Sequence, residues 1–499
     1  MGTRLLTAAV VAAGLCAAPT GKAQAAQASG DPAARCAALA AVPIDGGKIT
    51  GAKYAPPSGA SAGYCEVTVT VGAQMDIAMR LPDGWKQRYL QVGGGGFDGT
   101  IPSFDRPPGT AAWSRLNPVD NGYAVVANNG GHRQSDYPEA AFSSDPGMMM
   151  IYAGAKVYET DRVGRMLTQR YYGEAPRYRY FAGCSNGGRN ASVAAAYYSE
   201  DYDGVIGGAG VWGVDGEAPV SMAGHIAKWI QTAQTRPVIS KEKGAAIVAA
   251  QLAQCDALDG AKDGLISDPK ACRFDVRTLA CKAGQTGNSC LTPEEVRTVE
   301  TYRSPLKVGG RDVGSAWSLV DPSTLGGAQG TASGHIAVLR GPGKPSDPVG
   351  FDIQAEYPHL RDYLEGVWRM TGSIDALARY LQKGKKLILY HGWSDQLVPS
   401  DNSIHAFEAM SARAGKAAAN LRLYMQPGVA HCGGGTGPDQ GELLAVLSKW
   451  VEAGATPDTA ANRVVTWKKT APADTRPLCP YPAAMHTVGG LNRCVAPKR

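Results

Sequence analysis

Residues 183–187 of this 499-residue chain read G-C-S-N-G and constrain its fold more than any other stretch. An aromatic run typical of a β-strand, 178–181, precedes them, and a good helix-forming segment, 189–198, follows. A G-x-S-x-G pattern between a strand and a helix is typical of a nucleophile elbow, whose sharp turn leaves no room for side chains beside Ser185. The pattern also arises by chance in a chain with 63 glycines, so the flanking elements carry the prediction.

Regular strand and helix patterns lie on both sides of this stretch. Strand-like runs occur at 66–71, 75–79, 89–92, 123–127, 203–209, 386–390 and 421–425, and helix-like segments at 152–171, 402–414 and 442–452. Strands that alternate with helices predict an α/β fold with a mostly parallel sheet. Between residues 210 and 384 the alternation stops, and tryptophans, cysteines and stretches rich in Gly, Pro and Ser take its place. We interpret 210–384 as a lid domain inserted between the core segments 26–209 and 385–499.

Two further residues complete an order that is typical of α/β-hydrolases. Asp395 follows the predicted strand 386–390, and His431 follows the predicted strand 421–425. A serine hydroxyl becomes a strong nucleophile when a histidine accepts its proton and a carboxylate orients that histidine. The order Ser185, Asp395, His431 therefore predicts a catalytic triad in an α/β-hydrolase core.

Three other residues compete for roles in this site. His391 also lies at a strand end, but it precedes Asp395 by four residues, so we expect it to shape that loop. Asp401 is the rival acid. His132, which follows the predicted strand 123–127, either takes part in the chemistry or, as is more common, satisfies nearby backbone groups.

A run of four glycines, 93–96, follows the predicted strand 89–92. Bare backbone allows an amide to approach a substrate oxygen closely, so we predict an oxyanion hole formed by the amides of Asn186 and one of Gly94, Gly95 and Gly96. A phosphate-binding loop is disfavoured because no lysine follows in the P-loop pattern. A flexible turn is the remaining alternative.

These motifs, G-C-S-N-G-G at 183–188, H-G-x-x-D at 391–395 and H-C at 431–432, resemble the tannase/feruloyl esterase family, which has cysteines beside both the serine and the histidine. The resemblance covers nearly the whole chain after its first residues, including the glycine run and Y-D-G at 202–204. It implies an α/β-hydrolase core, a lid that contacts substrate, and hydrolysis of carboxylic esters, often of phenolic acids. The family also includes the hydrolase of mono(2-hydroxyethyl) terephthalate. Asn129 departs from the aspartate expected before the glycine and His132, which affects only the role of that histidine.

The predicted lid contains an acidic, glycine-containing stretch at 255–265. Carboxylate and carbonyl oxygens at this density suit calcium, although the spacing is not that of an EF-hand. The family resemblance implies that Asp256, Asp259 and Asp263 bind through carboxylates, and Ala261 and Leu265 through carbonyls. The alternative is a solvated turn, because Asp-Gly pairs favour turns.

The first residues are typical of a secretory signal peptide. Arg4 is basic, 5–18 is apolar, and 23–25 offers a small-x-small cleavage site, so residues 1–25 are predicted to be removed and the protein to be secreted or periplasmic. Leu15 before Cys16 does not suit a bacterial lipobox, and no later apolar run reaches the length of a membrane span. A formal net charge of only +6, lower still without the leader, indicates neither a nucleic-acid partner nor an anionic surface.

Ten cysteines follow the predicted leader, an even number that indicates five disulfides in an oxidising compartment. Four pairs are suggested by proximity: Cys36 with Cys65, Cys255 with Cys272, Cys281 with Cys290, and Cys479 with Cys494. Cys184 and Cys432 remain, and each adjoins a predicted triad residue, so the loops of the triad would hold them within bonding distance. The alternative is a free Cys184 that acts as the nucleophile.

The sequence therefore predicts a serine esterase that cleaves aromatic carboxylic esters, such as feruloyl or galloyl esters, through an acyl-enzyme on Ser185. Galloyl, feruloyl, caffeoyl and terephthaloyl esters all offer a flat ring to the lid, so hydrolysis of terephthalate-type monoesters is an alternative. A catalytically silent binding protein and a peptidase are two further alternatives on the same scaffold. The expected partner is a small aromatic ester, and no membrane anchor is predicted.

Overall fold

The computed structural model describes residues 30–105, 117–213, 217–317, 320–324, 329–341, 344–468 and 470–497. The predicted leader, 1–25, lies outside these ranges. Among the described helices, none combines the length and apolar character needed to cross a membrane.

A nine-stranded sheet forms the centre of the molecule. Its strands are β1 (Gly47–Ala55), β2 (Tyr64–Val71), β3 (Met75–Pro82), β4 (Arg88–Val92), β5 (Tyr123–Asn128), β6 (Tyr178–Cys184), β7 (Gly204–Gly208), β10 (Lys386–Gly392) and β11 (Leu421–Gln426), in the spatial order β1-β2-β3-β5-β4-β6-β7-β10-β11. The six strands from β5 to β11 in this order are parallel, and β1, β2 and β3 join them as an antiparallel extension. The predicted α/β fold with a mostly parallel sheet is confirmed.

Burial along the strands explains this division. Every residue of β5 and β7 is buried, as expected for parallel strands that helices cover on both faces. In β2 and β3, buried and partly exposed residues alternate, which is typical of antiparallel strands with one covered face.

Helices cover the sheet and build the intervening segment. They are α1 (Pro32–Leu39), α2 (Pro146–Met150), α3 (Lys156–Tyr172), α4 (Asn186–Tyr197), α5 (Glu217–Thr235), α6 (Lys241–Cys255), α7 (Pro293–Tyr302), α8 (Gln329–Arg340), α9 (Ile353–Asp362), α10 (Ile374–Gln382), α11 (Asp401–Ala414) and α12 (Leu443–Ala453). Helices α4, α10 and α11 share one hydrophobic cluster with the sheet, and α12 packs in the cluster on its other face.

The predicted lid, 210–384, is mainly helical. Helices α5, α8 and α9 pack with the small hairpin of β8 (Leu306–Val308) and β9 (Arg311–Gly314) in a hydrophobic cluster of their own, which also includes residues near α2. Helix α10 lies within the predicted lid segment but packs against the central sheet. The division of the chain at 210 and 384 remains a prediction.

Five short strands near the end of the chain had no counterpart in the sequence analysis. Strands β12 (Gln440–Gly441), β13 (Val465–Lys468) and β14 (Ala471–Pro477) form a three-stranded sheet, and β15 (Ala484–Val488) pairs with β16 (Leu491–Val495). All residues of β16 are exposed, so the alternation of apolar and polar residues that reveals a half-buried strand is absent there.

Five disulfides link the described residues, and all five predicted pairings are confirmed. The bonds join Cys36–Cys65, Cys184–Cys432, Cys255–Cys272, Cys281–Cys290 and Cys479–Cys494. Four of them close short loops, whereas Cys184–Cys432 spans 248 residues and connects the end of β6 to the loop after β11. The alternative of a free Cys184 is therefore wrong.

Candidate active site

Ser185 occupies a sharp turn between β6 and α4. Its backbone is strained, with φ 62° and ψ −121°, a region that non-glycine residues rarely adopt. A Cβ atom on Gly183 would lie 2.7 Å from the carbonyl of Gly187, and one on Gly187 would lie 2.8 Å from the carbonyl oxygen of Gly93. Close backbone contacts therefore require glycine at positions 183 and 187. Ser185 itself lies at the N-terminus of α4.

Asp395, in the turn after β10, is fully buried and bonded through both carboxylate oxygens. Its Oδ1 accepts hydrogen bonds from the amides of Leu397 (2.8 Å) and Val398 (2.9 Å). Its Oδ2 lies 2.7 Å from His431 Nδ1 and 3.0 Å from His391 Nε2. This geometry fixes the carboxylate and leaves Nε2 of His431 available to a reacting group.

The electrostatics of this pair suit a general base. Burial acts to raise the pKa of Asp395, but the charge of His431 and hydrogen bonds from His391 and His431 outweigh it and hold the pKa well below its ordinary value. Burial acts to lower the pKa of His431, but the Asp395 carboxylate reverses this, so the pKa lies above 6.5. Asp395 therefore remains ionised and stabilises the protonated form of His431.

His431 lies in the loop after β11 and lines the same cavity as Ser185. Its backbone amide donates to Gln396 Oε1 (3.2 Å). The adjacent Cys432 is bonded to Cys184 with a Cα–Cα distance of 5.9 Å. The structure thus brings the three residues of the predicted triad to one edge of the sheet, and their catalytic assignment is the proposal developed below.

The rival residues occupy different positions. His391 is fully buried between Ser403 Oγ (2.8 Å from Nδ1) and Asp395, consistent with a role in shaping the loop. Asp401 forms an ion pair with Lys270 (2.7 Å) at the start of α11. Neither lines the cavity that contains Ser185.

His132 is also buried and outside that cavity. Its ring stacks on Phe142 with centroids 4.3 Å apart. Burial, which Asp98 opposes and Lys156 reinforces, lowers the pKa of His132 to about 4. A neutral, stacked histidine fits the interpretation that His132 supports the local structure rather than the chemistry.

The glycine run lies beside the elbow, as an oxyanion loop requires. The amide of Gly93 donates to Ala182 O (2.9 Å), which continues the pairing of β4 with β6. Gly96 and Asn186 line the cavity with Ser185. Of the four residues predicted for the oxyanion hole, these two reach the cavity wall, whereas Gly94 and Gly95 precede Gly96 in the loop. Which amides bind the oxyanion remains a prediction.

A group of buried polar side chains behind this loop was missed by the sequence analysis. Asp98 pairs with Lys156 at 2.6 Å, and both side chains are almost completely buried. Asp98 also accepts a hydrogen bond from Asn186, whose Oδ1 accepts from Arg189 Nε (2.8 Å). The available signal was an aspartate two residues after the glycine run, since Asp adopts the left-handed backbone of Asp98 (φ 60°) more readily than most residues.

A cavity of about 170 Å³ adjoins Ser185 and His431, and its walls are mainly apolar. The core contributes Gly96, Phe97, Tyr152, Ser185, Asn186, Arg189, Gln396, Leu397, Val398 and His431, and the predicted lid contributes Val211, Met222, Ile226, Trp229, Trp317, His335, Val338, Leu339 and Met370. The site therefore lies between the edge of the sheet and the lid helices.

The predicted calcium site fits the structure only in part. Asp259 Oδ2 is buried without a hydrogen-bond partner, and a bound cation would satisfy this oxygen. However, Asp263 pairs with Arg476, and Asp256 accepts the amides of Asp263 and Gly264. Among the described residues, no three acidic, histidine or cysteine side chains converge on one point. The site, with Ala261 and Leu265 as carbonyl ligands, remains a prediction.

Comparison with known proteins gives consistent matches. The family model for tannase and feruloyl esterase matches residues 62–333 and 350–495. The chain is 27% identical over 519 residues to a mono(2-hydroxyethyl) terephthalate hydrolase of Piscinibacter sakaiensis, covering 86% of this chain and 83% of that protein. It is 29% identical over 417 residues to a probable feruloyl esterase B-2 of Aspergillus flavus, covering 76% of this chain and 75% of that protein.

The same fold occurs in solved structures. Feruloyl esterase B from Aspergillus oryzae superposes with a TM-score of 0.79 at 21% identity, covering 93% of this chain and 100% of that one. Tannin acyl hydrolase from Aspergillus niger superposes with a TM-score of 0.71 at 22% identity, covering 94% of this chain and 95% of that one. At these identities the superpositions establish the fold.

Proposed function

This chain belongs to the tannase and feruloyl esterase family and is a carboxylic ester hydrolase, and from that premise we propose that it cleaves esters of phenolic acids through an acyl-enzyme on Ser185. The observation that carries the proposal is the cavity of about 170 Å³. Its lining includes Ser185 and His431 as well as the indole rings of Trp229 and Trp317. Five disulfides suit an oxidising compartment, so we propose that the protein acts outside the cytoplasm.

The proposed reaction begins with attack of Ser185 Oγ on the ester carbonyl carbon. His431 Nε2 accepts the hydroxyl proton, and Asp395, 2.7 Å from Nδ1, stabilises the imidazolium. The carbonyl oxygen becomes an oxyanion, which amides of Asn186 and the glycine loop stabilise. Collapse breaks the bond to the alcohol, which leaves with the proton from His431. A water molecule then hydrolyses the acyl-enzyme by the same steps, releasing the acid and restoring Ser185.

The size and lining of the cavity support an aromatic acyl group. An apolar cavity of roughly 150 Å³ can hold one benzene molecule, so a cavity of about 170 Å³ accommodates a single ring. Indole rings provide large, rigid and apolar contacts for a flat substrate. A substrate ring packed against Trp229 or Trp317 would share the cavity with Ser185.

A terephthalate-type monoester is the second candidate because one relative is named as a hydrolase of such a compound. Its ring carries a second carboxylate, which requires a charged partner when it leaves water. Among the described residues that line the cavity, Arg189 is the one arginine that could pair with this carboxylate. Its nitrogens already donate to Asn186 Oδ1 and to the carbonyls of Tyr152, Ala153 and Met370. This arrangement favours neutral phenolic acyl groups.

A substrate panel tests the proposal. Methyl ferulate, methyl gallate, chlorogenate, a terephthalate monoester and the amide of ferulic acid are compared by kcat/KM, with Ser185→Ala as the control for catalysis at this site. We expect the neutral phenolic esters to rank first, the amide last and Ser185→Ala to be inactive on all. Preference for the terephthalate monoester would replace the first candidate by the second, and activity in Ser185→Ala would refute the assigned nucleophile.

A further inference from the structure

The ion pair of Asp98 and Lys156 is buried directly behind the glycine loop. The two side chains are 0% and 1% exposed, and Lys156 Nζ lies 2.6 Å from Asp98 Oδ2. Burial lowers the pKa of Lys156 to about 8, with Asp98 opposing and Arg189 adding to this shift, so Lys156 is mostly protonated at neutral pH. Taking two charges out of water is costly, and such a pair contributes little net stability by itself. Its position calls for another explanation.

The second carboxylate oxygen of Asp98 extends the contact to the nucleophile elbow. Asn186 Nδ2 donates to Asp98 Oδ1, and Asn186 Oδ1 accepts from Arg189 Nε at 2.8 Å. Asn186 directly follows Ser185, and its amide is the first of the two predicted oxyanion donors. One carboxylate therefore links the glycine loop, where Asp98 itself resides, to the residue beside the nucleophile.

Arg189 and Tyr152 anchor the other side of this network. The Arg189 guanidinium donates to the carbonyls of Ala153 (2.7 Å) and Tyr152 (2.8 Å). The hydroxyl of Tyr152 donates in turn to Gly96 O at 3.2 Å. The glycine loop is therefore held at two points, through the side chain of Asp98 and through the carbonyl of Gly96.

The backbone around Asp98 permits little movement. Asp98 adopts φ 60°, and its amide donates to Gly95 O at 2.9 Å. A Cβ atom on Gly130 would lie 2.1 Å from Asp98 Cβ, and the amide of Gly99 donates to Asn129 O at 2.6 Å. The loop after β5 thus adds a second set of contacts that fix the backbone around Asp98.

We propose that Asp98 is a positioning residue that sets the two halves of the oxyanion hole, the glycine loop and the amide of Asn186, at a fixed separation, while Lys156 balances its charge. The inference rests on the proposed function, because it assigns a task within the same reaction. Asp98 does not line the cavity, so it acts through the backbone that it holds. An oxyanion hole works when its donors are fixed in place before the charge develops.

The test uses Asp98→Asn, which keeps the shape of the side chain and removes its charge. We expect kcat to fall roughly 100-fold, about the effect of losing one oxyanion donor, with KM nearly unchanged because substrate binding does not use the hole. The affinity for an arylboronic acid, which adds to Ser185 and places an oxygen in the hole, should fall in parallel. The matched control is Glu452→Gln. It breaks a 2.7 Å ion pair with Arg88 at the other end of β4 and should lower the melting temperature without lowering kcat.

Two further variants separate positioning from charge balance. In Asp98→Ala combined with Lys156→Met, neither an unpaired charge nor an acceptor for Asn186 Nδ2 remains, so folding should recover while kcat stays low. Asn186→Ala should also lower kcat. Combining it with Asp98→Asn should add little, because Lys156 takes the one acceptor oxygen that Asp98→Asn leaves, and both changes then lose the same hydrogen bond to Asn186. Recovery of kcat in the Lys156→Met combination, additive losses in the Asn186→Ala combination, or wild-type kcat in folded Asp98→Asn would each overturn the inference. An inactive wild type would instead refute the proposed function.

Discussion

Asp395 illustrates how much of the candidate site depends on one side chain. Its Oδ1 accepts two backbone amides, and its Oδ2 faces His431 and His391. Because the carboxylate favours the protonated imidazole, it raises the pKa of His431 against the opposing effect of burial. The same contact has consequences for both activity and stability.

At this scale we predict a change in the pH profile of Asp395→Asn. His431 must lose its proton to act as a base, so wild-type kcat/KM should rise with pH and reach half its maximum above pH 6.5, the ordinary pKa of histidine. Without the carboxylate, burial dominates and the midpoint should move to lower pH, while kcat falls roughly 10,000-fold. The profile is measured with a phenolic methyl ester, and an unchanged midpoint would contradict the assigned acid.

The stability effect of the same pair has a defined sign. A raised histidine pKa contributes stability that is fully present below the unfolded value of 6.5 and is lost as the pH rises through the folded pKa. The difference in melting temperature between the wild type and Asp395→Asn should therefore be larger just below pH 6.5 than above the folded pKa of His431.

The Cys184–Cys432 bond connects the end of β6 to the loop after β11. We predict that Cys184→Ala with Cys432→Ala lowers kcat because it loosens the register between Ser185 and His431. In the chain-entropy model, closing a loop with a sequence separation of 248 contributes roughly 5–6 kcal/mol to stability, an upper value. The control is Cys281→Ala with Cys290→Ala, which opens a loop with a sequence separation of 9.

We expect this control to lower the melting temperature slightly and to leave kcat unchanged. Circular dichroism should show that both double variants keep their secondary structure. Equal kcat in the two variants would mean that the long-range bond does not hold the catalytic loops.

The acidic stretch 255–265 gives a prediction about metal removal. Asp259 Oδ2 is buried without a partner, and a bound calcium would remove this cost. Chelation should therefore lower the melting temperature more than it lowers the initial rate at room temperature, since none of the predicted ligands lines the cavity. Calcium added back should restore stability, with Asp259→Asn as a variant that no longer responds. If neither chelation nor added calcium changes the melting temperature of the wild type, the stretch 255–265 is a turn and not a metal site.

The proposed catalytic residues and the tryptophans of the cavity wall come from different parts of the chain. Ser185, Asp395 and His431 lie in the core, whereas Trp229 and Trp317 lie in the predicted lid. We predict that Trp229→Ala raises KM for methyl ferulate at least tenfold, since truncating a buried tryptophan removes a large apolar contact. Its kcat on p-nitrophenyl acetate should stay close to that of the wild type, because a short acyl group does not reach the indole. Loss of activity on both esters would place Trp229 in a different role.

The sequence predicted those features that local patterns encode. The buried strands β5, β7 and β10 appear as apolar runs, and the motifs around Ser185, Asp395 and His431 mark their loops directly. Helix α3 begins four residues later than the predicted helix 152–171 because a π-helical segment, Ile151–Ala155, replaces its first turn. No residue pattern in that segment indicates the wider turn.

The network around Asp98 could not be predicted for a different reason. Its partners Lys156 and Asn186 are 58 and 88 residues away in the chain, and a lone lysine in an amphipathic helix is typical of a solvated surface. Only the arrangement of β4, β6 and α3 brings the three together in the interior. Long-range polar contacts of this kind depend on tertiary structure and leave no periodic signal in the sequence.

The hydrogen bond from Arg189 Nη1 to the carbonyl of Met370, 2.7 Å long, bears on how this enzyme can be re-engineered. Arg189 belongs to α4, which begins beside the nucleophile, and Met370 ends the run of lid residues on the cavity wall. Under the proposed function, lids grafted from relatives are a route to new acyl specificity, since Ser185, Asp395 and His431 stay in the recipient core. A backbone carbonyl accepts this hydrogen bond, so a grafted lid can carry a different residue at position 370. Its backbone must still place the carbonyl at the same point. The C-terminal junction of a chimera should therefore lie after residue 370. The grafted lid then keeps its hydrogen bond to Arg189 in α4.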